Sequence, residues 1–174
     1  PARIGYQTLD YNASLDTHGV PVIALAGTCM EAGKTAAACA IISRMRQRGL
    51  AVHAFKATGV SLRRDILAME DAGARKSMIF TDFGIGTTTS SVGPALTRSM
   101  LSVLTEEKPD VIVFELGDGL LGTYGVESIL SAPDIREKLT AVLLSANDPV
   151  AAWGGVEIMR HRFKIEPSVV TGPA

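Results

Sequence analysis

The sequence predicts an α/β fold of three layers, a mainly parallel sheet covered by helices on both faces. Two observations predict it. The segments VIALA (22–26), VIVFE (111–115) and AVLLS (141–145) are almost unbroken apolar runs, as strands read when both faces of a sheet are buried. Strand-like and helix-like segments also alternate along the chain from Val22 onward.

Residues 1–20 mix polar, glycine and aromatic types without period, and are expected to be an N-terminal extension or the remnant of a preceding segment. The first strand, 22–26, leads through a glycine-bearing loop into an alanine-rich helix over 33–48, closed by Gly49. A strand over 51–56, a helix near 62–72 and a short strand over 77–81 follow by the same change of period. The Thr87–Ser91 run between Gly86 and Gly93 reads as a mobile loop, followed by a helix over 94–107. Next come a strand over 111–115, a short helix near 126–138 and a strand over 141–145. Asp148 as N-cap and Pro149 at the first helical position start a helix over 149–162. Arg160, Arg162 and Lys164 complement the negative end of that helix. A last strand covers 168–171. The chain starts at Pro1 and stops just after a strand, so the expectation is one nucleotide-binding domain over 21–174, cut from a longer protein and truncated at its C-terminus.

Composition narrows the function classes. A chain of 174 residues suits one domain, and Lys+Arg 17 against Asp+Glu 18 leaves no basic excess to drive nucleic-acid binding. No apolar run is long enough to cross a membrane, and the first residues lack the basic and apolar regions of a signal peptide. Cys29 and Cys39, the only cysteines, suit a reducing compartment better than a disulfide framework. The expectation is a cytoplasmic protein with no membrane or nucleic-acid partner, no disulfide and no zinc site.

The chemistry concentrates in Gly27-Thr28-Cys29-Met30-Glu31-Ala32-Gly33-Lys34-Thr35-Ala36, which joins the first strand to the first helix. A loop that cradles phosphates needs its backbone N–H groups turned inward, glycine where the chain approaches the ligand, and a helix N-terminus behind it. In the general motif, Lys34 would reach the β- and γ-phosphates and the Thr35 hydroxyl would ligate Mg²⁺. The strict spacing wants glycine at position 28, where this chain has threonine, with Gly27 one residue earlier.

That spacing resembles the GT-x-x-E-x-GKT loop of dethiobiotin synthetase, a P-loop NTPase. The similarity continues through RQRGLAVHAFKATG, through LRRDILAM and through VIVFELGDG. The resemblance implies a strand-terminal Lys56 at the active edge, Asp65 in the place of a magnesium-binding aspartate, and Glu115 on the metal. Cys29 and Met30 depart from that family's Asp-Thr, and Leu116 replaces the glycine after its glutamate. The segments KATGVSLRRDILAMEDAGA, FTDFGIG and VFELGDGLLG look closer to a bacterial P-loop family that includes a D-glutamate N-acetyltransferase. That resemblance implies an additional N-terminal domain in the full-length protein.

Other residues carry two readings each. Glu115, ending an apolar strand, is either a ligand of Mg²⁺ opposite Thr35 or an exposed strand-end acid. Asp65 and Asp82 compete for a second carboxylate role, and each is alternatively a helix-face or N-cap residue. Lys56 would bind a γ-phosphate or a substrate carboxylate as a point charge, or stand solvated. Asp118, between Gly117 and Gly119, faces a ligand or forms an ordinary turn. Asn147-Asp148-Pro149 either reads a base or simply starts a helix. The guanine-reading Asn-Lys-x-Asp sequence is absent, which tilts the nucleotide toward ATP. His18, His53 and His161 are scattered, and Trp153 and the methionines read as packing residues.

The leading expectation is a Mg²⁺-dependent ATP-binding enzyme that transfers the γ-phosphoryl group to a small anionic metabolite, with Lys34, Lys56 and Glu115 as its catalytic residues and Thr35, Asp65 and Glu115 around the metal. The alternatives are an acyl-CoA-dependent N-acyltransferase whose cradle holds the CoA phosphates, and a nucleotide-controlled, homo-oligomeric switch using the Gly84–Gly93 loop.

Overall fold

The computed structural model describes residues 5–12 and 14–173. The first half of the domain runs β1 (Val22–Gly27), α1 (Lys34–Gln47), β2 (Val52–Lys56), α2 (Arg63–Asp71) and β3 (Lys76–Ile79). The second half runs α3 (Gly93–Thr105), β4 (Val111–Glu115), α4 (Val126–Ser131), α5 (Pro133–Lys138), β5 (Leu139–Ser145), α6 (Pro149–Ile158) and β6 (Val169–Thr171). The strands form one sheet in the order β3-β2-β4-β1-β5-β6, every pair parallel.

Both faces of the sheet are covered, which explains the unbroken apolar strands. Leu25, Val113 and Leu143 pack with Ala38 and Ile42 of α1 and Met69 of α2. Their neighbours Ala24, Phe114 and Leu144 turn the other way, into a larger core with Leu96 and Met100 of α3, Ile129 of α4 and Ile135 of α5. Alternate side chains of each strand therefore serve opposite layers. Phe55 and Phe114, on adjacent strands, stack with ring centroids 4.7 Å apart.

Among the sequence-based boundaries that shift, three do so for a clear local reason. The strand expected over 77–81 stops at Ile79, because the Asp82 carboxylate accepts a hydrogen bond from the Ile79 N–H at 2.9 Å and Phe80–Phe83 coil into a 3₁₀ turn. The helix expected over 126–138 breaks at Ala132, whose extended backbone is what a residue before proline prefers. The last helix changes at Met159 into a π-helical turn that ends at Lys164, at φ 60°.

Residues expected as an extension are packed along the domain where they are described. The Tyr6 and Gln7 N–H groups both donate to the Asp82 carbonyl at 2.9 Å, and Leu9, Leu15 and Val20 pack against the larger core. Residues 1–4 lie outside the described part. The loop expected to be mobile is held at Thr88, which is buried, accepts from the Gly59 N–H and donates to the Tyr124 carbonyl. No helix among the described residues is long and apolar enough to cross a membrane.

Candidate nucleotide site

The carboxyl ends of β1, β2 and β4 lie side by side, so the residues just beyond them meet at one edge of the sheet. Beyond β1 the chain wraps through residues 28–33 and enters α1 from Gly33, whose φ of 90° is a conformation that side chains disfavour. Met30 and Glu31 are exposed while Ala32 is buried, so the loop presents its backbone. Glu31 itself has a positive φ of 59°. Ala36 is exposed in the first turn of α1.

Lys34 folds back over this loop, its ammonium donating to the Cys29 carbonyl at 2.7 Å. Gly27 makes room for it, since a Cβ there would lie 2.8 Å from the Lys34 Nζ. Burial pulls the Lys34 ammonium below the usual lysine range, against the attraction of Glu115, Cys29 and Asp118. A buried cation held this way gains from an incoming anion.

Opposite stands Glu115, the last residue of β4 and 3% exposed. Thr35 Oγ1 donates to its Oε2 at 2.8 Å. Burial pushes the Glu115 carboxyl up, opposed by the Thr35 hydrogen bond and by Lys56 and Lys34. Lys56, ending β2, is also buried and is paired with Asp65 in the first turn of α2. Arg64 approaches the other Asp65 oxygen at 3.6 Å from a more exposed position. The structure thus brings Lys34, Thr35, Glu115, Lys56 and Asp65 to one edge.

The loop after β4 lies across this edge, and its glycines are required by close approach. A Cβ on Gly117 would sit 2.3 Å from the Thr58 carbonyl oxygen, and one on Gly119 would sit 2.5 Å from that of Thr28. The Thr58 hydroxyl donates to the Gly117 carbonyl at 2.8 Å, and the Leu120 N–H donates to the Gly27 carbonyl at 2.9 Å. Thr58 lies in the KATG segment that follows β2, and its contact with Gly117 emerges only in the fold. Asp118, between the glycines, has a φ of 78°, and its carboxylate leans over Gly122.

Other candidates fall elsewhere. Asp82, the competing acid, accepts a hydrogen bond from the Ile79 N–H at the end of β3. Asp148 caps α6 by accepting from the Ala151 N–H at 2.8 Å, and the Asn147 amide donates to the Cys29 sulfur at 3.2 Å. The histidines are apart: His53 contacts the Leu104 carbonyl, while His18 and His161 pair with Asp16 and Glu157. Among the described residues no three His, Cys, Asp or Glu side chains group as a metal site. One hydroxyl and two carboxylates, those of Thr35, Glu115 and Asp65, still fit a Mg²⁺ that draws its remaining ligands from phosphate and water.

No family model matches the sequence, and no curated protein matches it. Solved structures do. The signal recognition particle receptor FtsY from Elizabethkingia anophelis superposes with a TM-score of 0.61 at 14% identity, over 92% of this chain and 52% of that one. The kinase domain of the Escherichia coli tyrosine kinase ETK gives 0.59 at 13% identity, over 91% of this chain and 69% of that one. The same FtsY in complex with GDP gives 0.52 at 16% identity, over 78% and 42%.

The chain shares its fold with these structures. The chain spans about half the length of the FtsY structure it matches. At these identities the likeness fixes the α/β fold and leaves the reaction to be argued from the residues.

Proposed function

We propose that this P-loop protein binds ATP with Mg²⁺ and transfers the γ-phosphoryl group to an oxygen of a small anionic metabolite, as ligases and synthetases do when they activate a carboxylate or carbamate. The observation that carries the reading is the 2.8 Å hydrogen bond from Thr35 to Glu115, which pairs a loop hydroxyl with a buried carboxylate beside the Lys34 ammonium. These are hard oxygen donors suited to magnesium. Bound Mg²⁺ would neutralise phosphate charge. Lys34 would exchange the Cys29 carbonyl for phosphate oxygens, and Lys56 would add a second positive charge at the transferring group. The γ-phosphorus to bridging-oxygen bond breaks, a bond to the acceptor oxygen forms, and ADP leaves with the bridging oxygen's electrons.

Two resemblances support the class: the loop spacing shared with dethiobiotin synthetase, and the kinase named among the structural neighbours. ATP is favoured over GTP because the guanine-reading Asn-Lys-x-Asp sequence is absent. A cavity of about 320 Å³ lined by Ala146, Asn147, Asp148, Val170, Thr171 and Pro173 lies beside Gly33 and would take the base. Cys29 and Cys39 are free thiols, and a reducing, cytoplasmic setting belongs to the same reading.

Titration calorimetry tests the proposal. MgATP is expected to bind the wild type at least about tenfold more tightly than Lys34→Ala, the worth of a charge-assisted hydrogen bond. MgGTP is expected to bind more weakly. Equal MgATP binding to both proteins, or to neither, overturns the nucleotide reading, and displacement of ATP by acetyl-CoA with formation of an acylated amino acid would replace it with acyl transfer.

A further inference from the structure

A cavity of about 210 Å³ lies beside the cradle loop, lined by Thr28, Leu120, Leu121, Ala151, Gly154 and Ile158, with Gly155 beside them. The Thr28 hydroxyl is the one polar side-chain group in this lining. Two adjacent glycines of α6 take part, and they answer to different needs. Gly155 is demanded by packing, since a Cβ would lie 2.8 Å from both Thr28 Cγ2 and Leu144 Cδ2. At Gly154 a Cβ would meet nothing within 4 Å. Glycine inside a helix is destabilising relative to alanine, and here no contact requires it. What Gly154 preserves is the open space.

We propose that this cavity holds the hydrocarbon part of the acceptor, so that the substrate is an oxyanion carrying a short aliphatic chain, its reacting end at the cradle and its tail against α6. The proposal rests on the phosphoryl-transfer reading above and names its substrate class. Thr28 belongs to both the cradle and the cavity, and the Gly117–Leu121 loop runs from the Thr58 carbonyl, beside Lys56, to the cavity wall. A molecule seated in the cavity therefore touches the cradle through Thr28. Size selects the occupant. The volume equals about seven waters at about 30 Å³ each, enough for a chain of about six carbons, whereas a stable protein interface covers about 800 Å² on each partner.

The probes are straight-chain carboxylates from acetate to decanoate, titrated by calorimetry into protein saturated with a non-hydrolysable MgATP analogue. Each methylene is expected to tighten binding about fourfold, the worth of burying one CH₂, until the gain stops near six carbons. Gly154→Leu fills the space from a position where its Cβ meets nothing. It is expected to abolish the chain-length dependence while MgATP binding stays within twofold. Leu121→Ser, at an exposed rim position, is a second variant independent of helix packing, and is expected to weaken hexanoate more than tenfold and acetate less than twofold. Absence of chain-length dependence in the wild type, or its persistence in Gly154→Leu, overturns the proposal, while MgATP binding by the same proteins tests the nucleotide reading separately. Sedimentation supplies the remaining outcome: a wild-type dimer that Gly154→Leu dissociates, with no chain-length dependence, assigns the cavity to a second copy of the chain and also overturns it.

Discussion

Thr35 Oγ1 and Glu115 Oε2 lie 2.8 Å apart, joining the first turn of α1 to the end of β4 across 80 residues of sequence. The loop hydroxyl donates to the buried carboxylate, and under the proposed function both oxygens would serve Mg²⁺. Replacing Glu115 by Gln keeps the shape and removes the charge. Phosphate release from MgATP is expected to fall about 10²-fold, the scale of losing one preorganised electrostatic group. Binding of metal-free ATP is expected to stay within a few-fold, because removing an anion does not weaken the phosphate contacts. Unchanged turnover would remove Glu115 from the catalytic site.

The same substitution has a pH-dependent effect on stability. Burial raises the Glu115 carboxyl above the ordinary glutamate value of 4.5. A carboxyl whose value rises on folding holds its proton more tightly in the native state, so its contribution is most favourable below 4.5 and is lost as pH climbs through the folded value. Glu115→Gln carries no charge at any pH. Without nucleotide or metal it is expected to melt above the wild type at pH 8, by about 3 °C per kcal/mol relieved. Scanning calorimetry should show this margin narrowing as pH falls toward 4.5. A margin that widens on acidification would reverse the sign assigned to Glu115.

Gly27 is predicted to separate folding from binding. The atoms nearest a Cβ there belong to the Lys34 side chain, 2.8 Å away at Nζ and 2.9 Å at Cδ, and that flexible chain can move. Gly27→Ala is therefore expected to unfold within about 1 kcal/mol of the wild type in urea, the lower end of overpacking costs. MgATP affinity should drop about tenfold or more as Lys34 is displaced from its place. Full-strength binding by this variant would mean that the position of Lys34 is not constrained by Gly27.

Lys56 and Asp65 are paired with side-chain exposures of 7% and 12%. Asp65→Asn leaves a buried ammonium without its counter-charge, and is expected to cost about 3 kcal/mol in urea unfolding. Lys56→Met combined with Asp65→Leu removes both charges and should recover most of that loss. A double variant no more stable than Asp65→Asn would show that the pair contributes more than mutual neutralisation.

The two glycines of α6 make a stability prediction independent of any ligand. Gly154→Ala is expected to stabilise by about 0.5–1 kcal/mol, since only helix propensity changes. Gly155→Ala is expected to destabilise by about 1 kcal/mol or more, because its Cβ would press on Thr28 and Leu144 at 2.8 Å. Urea unfolding of both variants reads the difference directly, and equal shifts would contradict the open space at Gly154.

By itself the sequence determined the layered α/β architecture, the phosphate cradle and most element positions, because those depend on information within a few residues. Apolar runs such as Val111–Phe114 reveal a strand buried on both faces, and Gly33-Lys34-Thr35 between a strand and a helix reveals a cradle. Only the tertiary structure decided which side chains meet. Placing β4 between β1 and β2 is what brings Glu115 to Thr35, sets Gly117 on Thr58 and lays Gly119 on Thr28. Asp65, in a helix, and Asp82, after a strand, compete in the sequence for one carboxylate role. The fold separates them, giving one to Lys56 and the other to the Ile79 N–H. Strand order is a property of the whole sheet, set by how helices and loops of different lengths cover its two faces, and no local periodicity encodes it.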